Sequence, residues 1–351
     1  MEFSCDSRYI ISTLNAPLST LLKQFPFQTP VPQGIGWWKG GFFMGETILC
    51  IGAAMVGAGF ASGREIMRFF SQYGAFSWAL VAFAAVVTAW MLRRMLAMGG
   101  VHSRLEKGLL LLFSLAVGGG MTAAAGELWA LTVPLRYART AGSVITLVLC
   151  LCLAGGSLRG MAWLGRVLLP FLLAVLILCL RVSGVSPSRE ISMGEALLAV
   201  VSVMGYCGLN GMTAAGVIGG IQPPWEQKGI SLAVGLLTAL LLGLGNAALL
   251  PHAAALSDAP LPTVFLLRAY GKPGYYLSAA VLYLAASTTL VAVLRELITL
   301  SAPYLPKQKR PLIGLGVLAV SLLGFDDIVG KAYPVLGWMY IILLITFSRR
   351  M

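Results

Sequence analysis

The chain has 351 residues, 58% of them hydrophobic and only 11% charged, and its 25 Lys+Arg against 13 Asp+Glu give a formal net charge of +12. A soluble domain carries about 25% charged residues, so this composition cannot clothe a water-facing surface and lipid is the natural solvent. The basic excess does not read as a nucleic-acid interface, because such charges cluster on polar elements, whereas here they stand singly between long apolar runs.

Residues 1–43 hold Pro17, Pro26, Pro30 and Pro32 and lack the basic start, apolar core and cleavage site of a secretory signal in order. They are expected to be a polar N-terminal extension, either a cytoplasmic tail or, if Met44 is the initiator, a stretch that is not translated. A span needs about 20 apolar residues, and ten candidates follow: Phe42 to Phe70, Phe76 to Leu92, Gly108 to Val133, Ala141 to Leu158, Met161 to Leu180, Ile191 to Ile221, Ile230 to Leu250, Tyr275 to Leu300, Leu312 to Phe325 and Ile328 to Phe347. Unpaired backbone groups are too costly in hydrocarbon for anything but helices at this length. The expected class is therefore an all-α integral membrane protein, with one transmembrane domain over 44–351.

Lys and Arg in the loops set orientation. Fifteen fall on one side, from Arg8 through Arg93 and Arg94 to Arg349 and Arg350, against nine on the other, which places both termini in the cytoplasm. The cysteines are scattered, five of the six within apolar stretches, and show neither a disulfide framework nor zinc spacing. With only two histidines, His102 and His252, a metal-dependent membrane enzyme is disfavoured.

The first span carries Gly57, Gly59 and Gly63, followed directly by Arg64 and Glu65. Each glycine costs about 1 kcal/mol in a helix interior, so unwinding here is cheap; the competing reading is close helix packing by small residues. The sixth span repeats the pattern in Met204-Gly205-Tyr206-Cys207-Gly208-Leu209-Asn210-Gly211-Met212. Glycine-interrupted spans at matching positions of two halves point to the binding site of an inverted-repeat transporter. Spans one and six are expected to be broken, in repeats of about 44–181 and 191–348. Half-helix N-termini would then suit a carboxylate and C-terminal carbonyls a cation. Gly57, Ala58, Gly59, Phe60, Ser62 and Gly63, with Tyr206, Gly208 and Asn210, are the candidate substrate-binding residues.

The eighth span places Ser287, Thr288 and Thr289 in a row. Hard cations prefer oxygen ligands. The Thr288 and Thr289 hydroxyls with the Ala285 carbonyl, completed by carbonyls near Val56 and Gly57, would form a sodium-sized cage; hydroxyls bonding back one turn are the alternative. No cofactor is expected beyond a sodium ion. Glu127, after Ala123-Ala124-Ala125-Gly126, is the deepest carboxylate, suited to a proton relay or a cation, or else snorkelling at the interface. Arg64 and Glu65 do not face each other on a helix, so each needs another partner. Arg68 is expected to pair with Asp326 or Asp327.

The run Gly57-Ala58-Gly59-Phe60-Ala61-Ser62-Gly63-Arg64-Glu65-Ile66 with Phe69-Phe70 resembles the signature of the YkvI-like family of bacterial membrane proteins. More distantly it is similar to the first-helix motif of neurotransmitter:sodium symporters. The resemblance covers most of the chain from Met44 and implies a LeuT fold of the amino acid-polyamine-organocation group, ten helices in a five-plus-five inverted repeat working by alternating access. Carried over, Ala285, Thr288 and Thr289 resemble part of that group's second sodium site, and a frame of Leu284, Ser287 and Thr288 fits nearly as well. Arg68 is similar to the symporters' outer-gate arginine, with a longer spacing from the glycines. The third span has no tyrosine midway, where symporters use one to hold a carboxylate, which leaves Tyr206 and Asn210 as polar handles. The expected function is secondary transport of a small, amino acid-like solute coupled to sodium or protons in a bacterial cytoplasmic membrane; a non-transporting sensor or scaffold is the alternative. The partners are the solute and the bilayer, with no nucleic acid and the oligomeric state left open.

Overall fold

A computed structural model describes residues 44–98, 104–154, 158–182, 184, 189–218, 227–259, 261–306 and 311–348. The chain divides into Met1–Gly41 and Phe42–Met351, and every element below belongs to the second unit. The expectation for residues 1–43 lies outside the described residues.

Among the described residues all regular structure is helical. The first span is in three pieces, α1 (Met44–Met55), α2 (Ala58–Ala61) and α3 (Arg64–Phe69), followed by a 3₁₀ turn Ser71–Phe76. Then come α4 (Ser77–Met98), α5 (Arg104–Thr132), α6 (Ala138–Ala154), α7 (Leu158–Leu180), α8 (Met193–Ile218) and α9 (Gln227–Leu249). A short α10 (Pro262–Leu267) precedes the long α11 (Gly271–Ser301), α12 (Pro311–Ser321), α13 (Phe325–Asp327), a π-helical turn Ile328–Ala332 and α14 (Tyr333–Ser348). Six stretches are long and apolar enough to cross a membrane: Ser71–Ala97, Leu105–Thr132, Met193–Ala215, Lys228–His252, Pro262–Ser301 and Ile328–Thr346. The other four expected spans correspond to the interrupted first segment and to shorter apolar helices, Ala138–Ala154, Arg166–Leu180 and Pro311–Ser321. The protein is a multi-pass, all-helical membrane protein.

Local chemistry explains where α8 begins. Ser192 and Glu195 form a capping box, the Ser192 hydroxyl accepting the Glu195 N–H at 3.2 Å while the Glu195 carboxylate accepts the Ser192 N–H at 2.9 Å. Arg189 reinforces this start, at 2.8 Å from the same carboxylate, and also donates to the Gln72 carbonyl at 3.0 Å. That second bond ties the start of α8 to the turn that opens α4.

The bundle packs α8 along α14 and α4, α9 along α4, and α11 along α5, while α1 runs between α7, α8, α9 and α11. The buried core includes Ile51, Ile66, Phe69, Phe70, Phe113, Tyr333 and Tyr340. Large apolar side chains such as Leu149, Leu153, Leu197 and Leu198 remain exposed, as expected of faces solvated by lipid. Polar staples cross between elements: Asn246 of α9 takes a bond from Ser71 at 2.9 Å and donates to Ser77 at 2.8 Å, and Trp338 of α14 donates to the Val201 carbonyl at 3.0 Å.

The structure corrects the expectation for the sixth span. Helix α8 is continuous from Met193 to Ile218, so Gly205, Gly208 and Gly211 do not unwind it. They let α14 approach: a β-carbon at Gly208 would run into the carbonyl and Cα of Gly337, and one at Gly205 would meet the Pro334 carbonyl at 3.2 Å. Close packing of small residues is what these glycines do. The first span is interrupted and the sixth is not, so the expected matching pair of breaks is absent.

Candidate functional site

The first span breaks twice. Val56 and Gly57 are non-helical, and after the single turn of α2 the chain turns at Gly63 with φ 78°, a left-handed conformation that glycine adopts without a Cβ penalty. The Ser62 hydroxyl donates to the Gly59 carbonyl at 2.9 Å and accepts the Arg64 N–H at 3.2 Å, which satisfies part of the second break locally. Thr263, at the start of α10, satisfies the rest: its N–H donates to the Ser62 carbonyl and its hydroxyl to the Ala61 carbonyl, both at 2.9 Å. The pieces after the first break are only 4 and 6 residues long, too short to carry the half-helix dipole expected to hold a carboxylate.

Val56 and Phe60 from the first span and Tyr206 and Asn210 from α8 line one cleft, together with Gly52, Met55 and Leu237, Thr238 and Leu241 of α9. As it stands the cleft is narrow, with room for about one water molecule. Tyr206 is buried and stacks against Phe69 and Phe70 at ring-centroid distances of 5.2 and 5.4 Å. Asn210 is buried and donates from Nδ2 to the Tyr206 carbonyl at 3.0 Å. The cleft is thus mainly apolar with a few polar groups. Gly208 does not belong to it, being occupied with Gly337.

At the first break one expected ion-site hydroxyl, that of Thr289, reaches the first span. The Thr289 hydroxyl donates to the Val56 carbonyl at 3.3 Å, and the Thr288 hydroxyl donates to the Ala285 carbonyl at 2.9 Å. A β-carbon on Gly57 would lie 3.8 Å from the Thr289 hydroxyl. Thr289 is thus the residue of the eighth span shown to reach the break; the Ser287 carbonyl instead meets the Cys150 thiol at 3.8 Å. Thr288 bonds back within its own helix as the alternative reading had it, whereas Thr289 bridges two elements. Thr289→Val should strip the bridge and leave a buried carbonyl unmet, costing about 1–3 kcal/mol. A thermal-unfolding midpoint in detergent indistinguishable from the wild type would show that the bridge holds nothing.

The expected gate and coupling residues lie elsewhere. Glu127 is ion-paired with Arg139 across α5 and α6, and its side chain is 31% exposed, which fits the snorkelling alternative. Arg68 donates to the Gly330 carbonyl at 3.0 Å, while Asp327 pairs at 2.7 Å with Lys331, four residues on. The expected Arg68–Asp327 pair is thus replaced: Asp327 finds a cation one turn away on its own helix, and Arg68 caps a carbonyl of the π-helical turn. The Asp326 side chain lies outside the described residues. Ala58 opens α2, and nothing is assigned to its side chain.

Three contributors were not among the expected site residues. Thr263 holds the second break, Thr238 lines the cleft, and Glu65 is buried at 3% exposure. Among the described residues, no three His, Cys, Asp or Glu side chains gather as a metal site would require.

These features define a multi-pass helical membrane protein with a broken helix at its centre. No family model matches the chain. It is similar to the uncharacterized protein YyaD of Bacillus subtilis (strain 168), 25% identical over 343 residues, covering 88% of this chain and 96% of that one. Among solved structures it is similar to crystal structures of the Eremococcus coleocola manganese transporter at 13% identity, covering 93% of this chain and 89% of that one. The TM-scores are 0.47 for a mutant and 0.44 for the complex with an aromatic bis-isothiourea substituted compound.

Proposed function

We propose that the chain is a secondary transporter that carries a small organic solute past the interrupted first span. One observation carries the reading: the double break lies inside the bundle, where Val56 and Phe60 share a cleft with Tyr206 and Asn210. Irregular backbone at membrane depth is tolerated where it is buried in protein or lines a cavity. The cleft is closed to a solute as it stands; widened by movement of the first span, its apolar walls with an aromatic and a carboxamide group would suit a small, amino acid-like solute. The oxygens of Val56, Ala285, Thr288 and Thr289 support a sodium ion as one driving species: each hydroxyl could turn from its carbonyl and offer a lone pair alongside it.

The motion would differ from a symmetric pair of hinges. The break belongs to the first span alone, and α8 is a continuous rod held to α14, so the first span would move against it. That same close contact favours a second reading, a ligand sensor or scaffold that binds without carrying. Reconstitution in liposomes separates them. Uptake and counterflow of radiolabelled amino acids or small amines are expected of a transporter; solute-dependent thermal stabilisation with neither uptake nor counterflow would replace it with the sensor.

A further inference from the structure

We propose that Glu65 is the proton-carrying group of this protein, taking a proton from one face of the membrane and releasing it to the other as the first span moves. The inference rests on the transporter reading and names its coupling group.

Glu65 is the one charged residue among the described ones whose side chain is buried, at 3% exposure. Its place is built by the break: it lies in the first turn of α3 with its carboxyl against Gly59, where a β-carbon would run into Cγ, Cδ and Oε1. A bare backbone at 59 is what makes room for it. An ionisable side chain at membrane depth is costly and points to function. The other acidic groups named above are held differently: Glu127 by Arg139, Asp327 by Lys331, Glu195 by Arg189 and the capping box. Glu296 takes the Ser114 hydroxyl at 2.7 Å and is only half-buried.

A second, independent observation is a buried hydroxyl, not in hydrogen-bond contact with Glu65 here. The Tyr333 hydroxyl is buried and is the one buried side-chain polar atom among the described residues without a hydrogen-bond partner. Such a group in a native structure calls for an explanation. It lies over Gly120 of α5, 3.0 Å from where a β-carbon would stand, and within electrostatic range of Glu65. A free hydroxyl can donate to a carboxylate or accept from a carboxylic acid without first breaking another bond. Tyr206 of α8 is the other buried group in electrostatic range.

The remaining groups around α3 are accounted for. Tyr73 lies on the 3₁₀ turn, and Cys207 of α8 donates to the Ala84 carbonyl at 3.7 Å. Lys228 is at the far end of α9, which meets α3 through Gly245 and Leu249. On α3 itself Arg64 donates to the carbonyls of Ser257 and Ala259 and Arg68 to that of Gly330. The chemistry is a reversible O–H bond: carboxylate plus a proton from water on one face gives the neutral acid, and the same bond breaks when the proton passes to water on the other. No electron changes hands and no co-reactant is needed.

Two measurements on the full chain test this. In liposomes, a one-unit pH gradient can sustain about tenfold accumulation of a solute moved with one proton. The wild type should accumulate a member of the amino acid and amine panel to that order under such a gradient. Glu65→Gln should lose accumulation against the gradient, and Glu65→Asp, which keeps a titratable carboxyl, should retain part of it. Accumulation undiminished in Glu65→Gln, or wild-type accumulation driven by sodium and indifferent to the pH gradient, would overturn the proposal. The second measurement does not require transport: infrared titration of the reconstituted protein should show a protonated-carboxyl band that declines as pH rises and is lost in Glu65→Gln. A band unchanged in Glu65→Gln overturns the proton site. If no panel solute moves but the Glu65 band titrates, the transporter reading fails while the proton site stands.

Discussion

Gly208→Ala is expected to weaken the folded bundle by about 2–3 kcal/mol, the upper part of the usual cost of overpacking. The methyl group would enter space held by the backbone of Gly337, which has no rotamer to move aside. The reciprocal contact is equally close, since a β-carbon on Gly337 would meet the Gly205 carbonyl. Relief requires α8 and α14 to part along their contact, which is among the most extensive in the bundle. Gly243→Ala is the matched control, because nothing lies within 4 Å of its β-carbon position. That change should raise stability by about 0.5–1 kcal/mol through helix preference alone. Thermal unfolding in one detergent measures both, and equal midpoints for the two variants would refute the close contact.

Gly59→Ala should have an effect of similar size by a different route. The added methyl meets the Glu65 side chain from Cγ outward, so the carboxyl must leave its buried position. Glu65→Ala vacates the same space, and the double variant should be less damaged than the two single costs added together. The expected coupling is about 1–3 kcal/mol, as for residues in direct contact. Additive costs would mean that the two positions do not touch.

How much of this was legible in the sequence depends on whether the deciding contact was local. The helices could be read because apolar runs leave the backbone no other structure in hydrocarbon, and their ends fell within a few residues of the expected ones. The interruption at Gly57 to Gly63 was readable because three glycines and a following charged pair sit in one stretch. The sixth span carried the same kind of signal with the opposite result. Glycine lowers the cost of unwinding and of close approach alike, and only the arrival of Gly337, far along the chain, decides which occurs. The charges failed for a related reason. Arg68 and Asp327 looked complementary, but Lys331 stands one helical turn from Asp327 and competes at far lower entropic cost. Glu65 was visible as a residue in search of a partner, yet its burial depends on a missing side chain at Gly59. In the eighth span, composition could not choose between two frames, and the structure places Thr289 rather than Ser287 toward the break. The short helix Pro262–Leu267 has too few residues to give a period, so Thr263 carried no warning of its role.

Thr263 has a mechanical consequence. It grips the carbonyls of Ala61 and Ser62, and Arg64 grips those of Ser257 and Ala259. The C-terminal part of the first span is therefore bolted to Ser257, Ala259 and Thr263 at four points. In the transport cycle proposed above they would travel as one lever arm, with the fulcrum at Val56 and Gly57. A probe pair at 64 and 259 should keep its spacing through any working stroke, while a pair spanning 55 and 60 changes length.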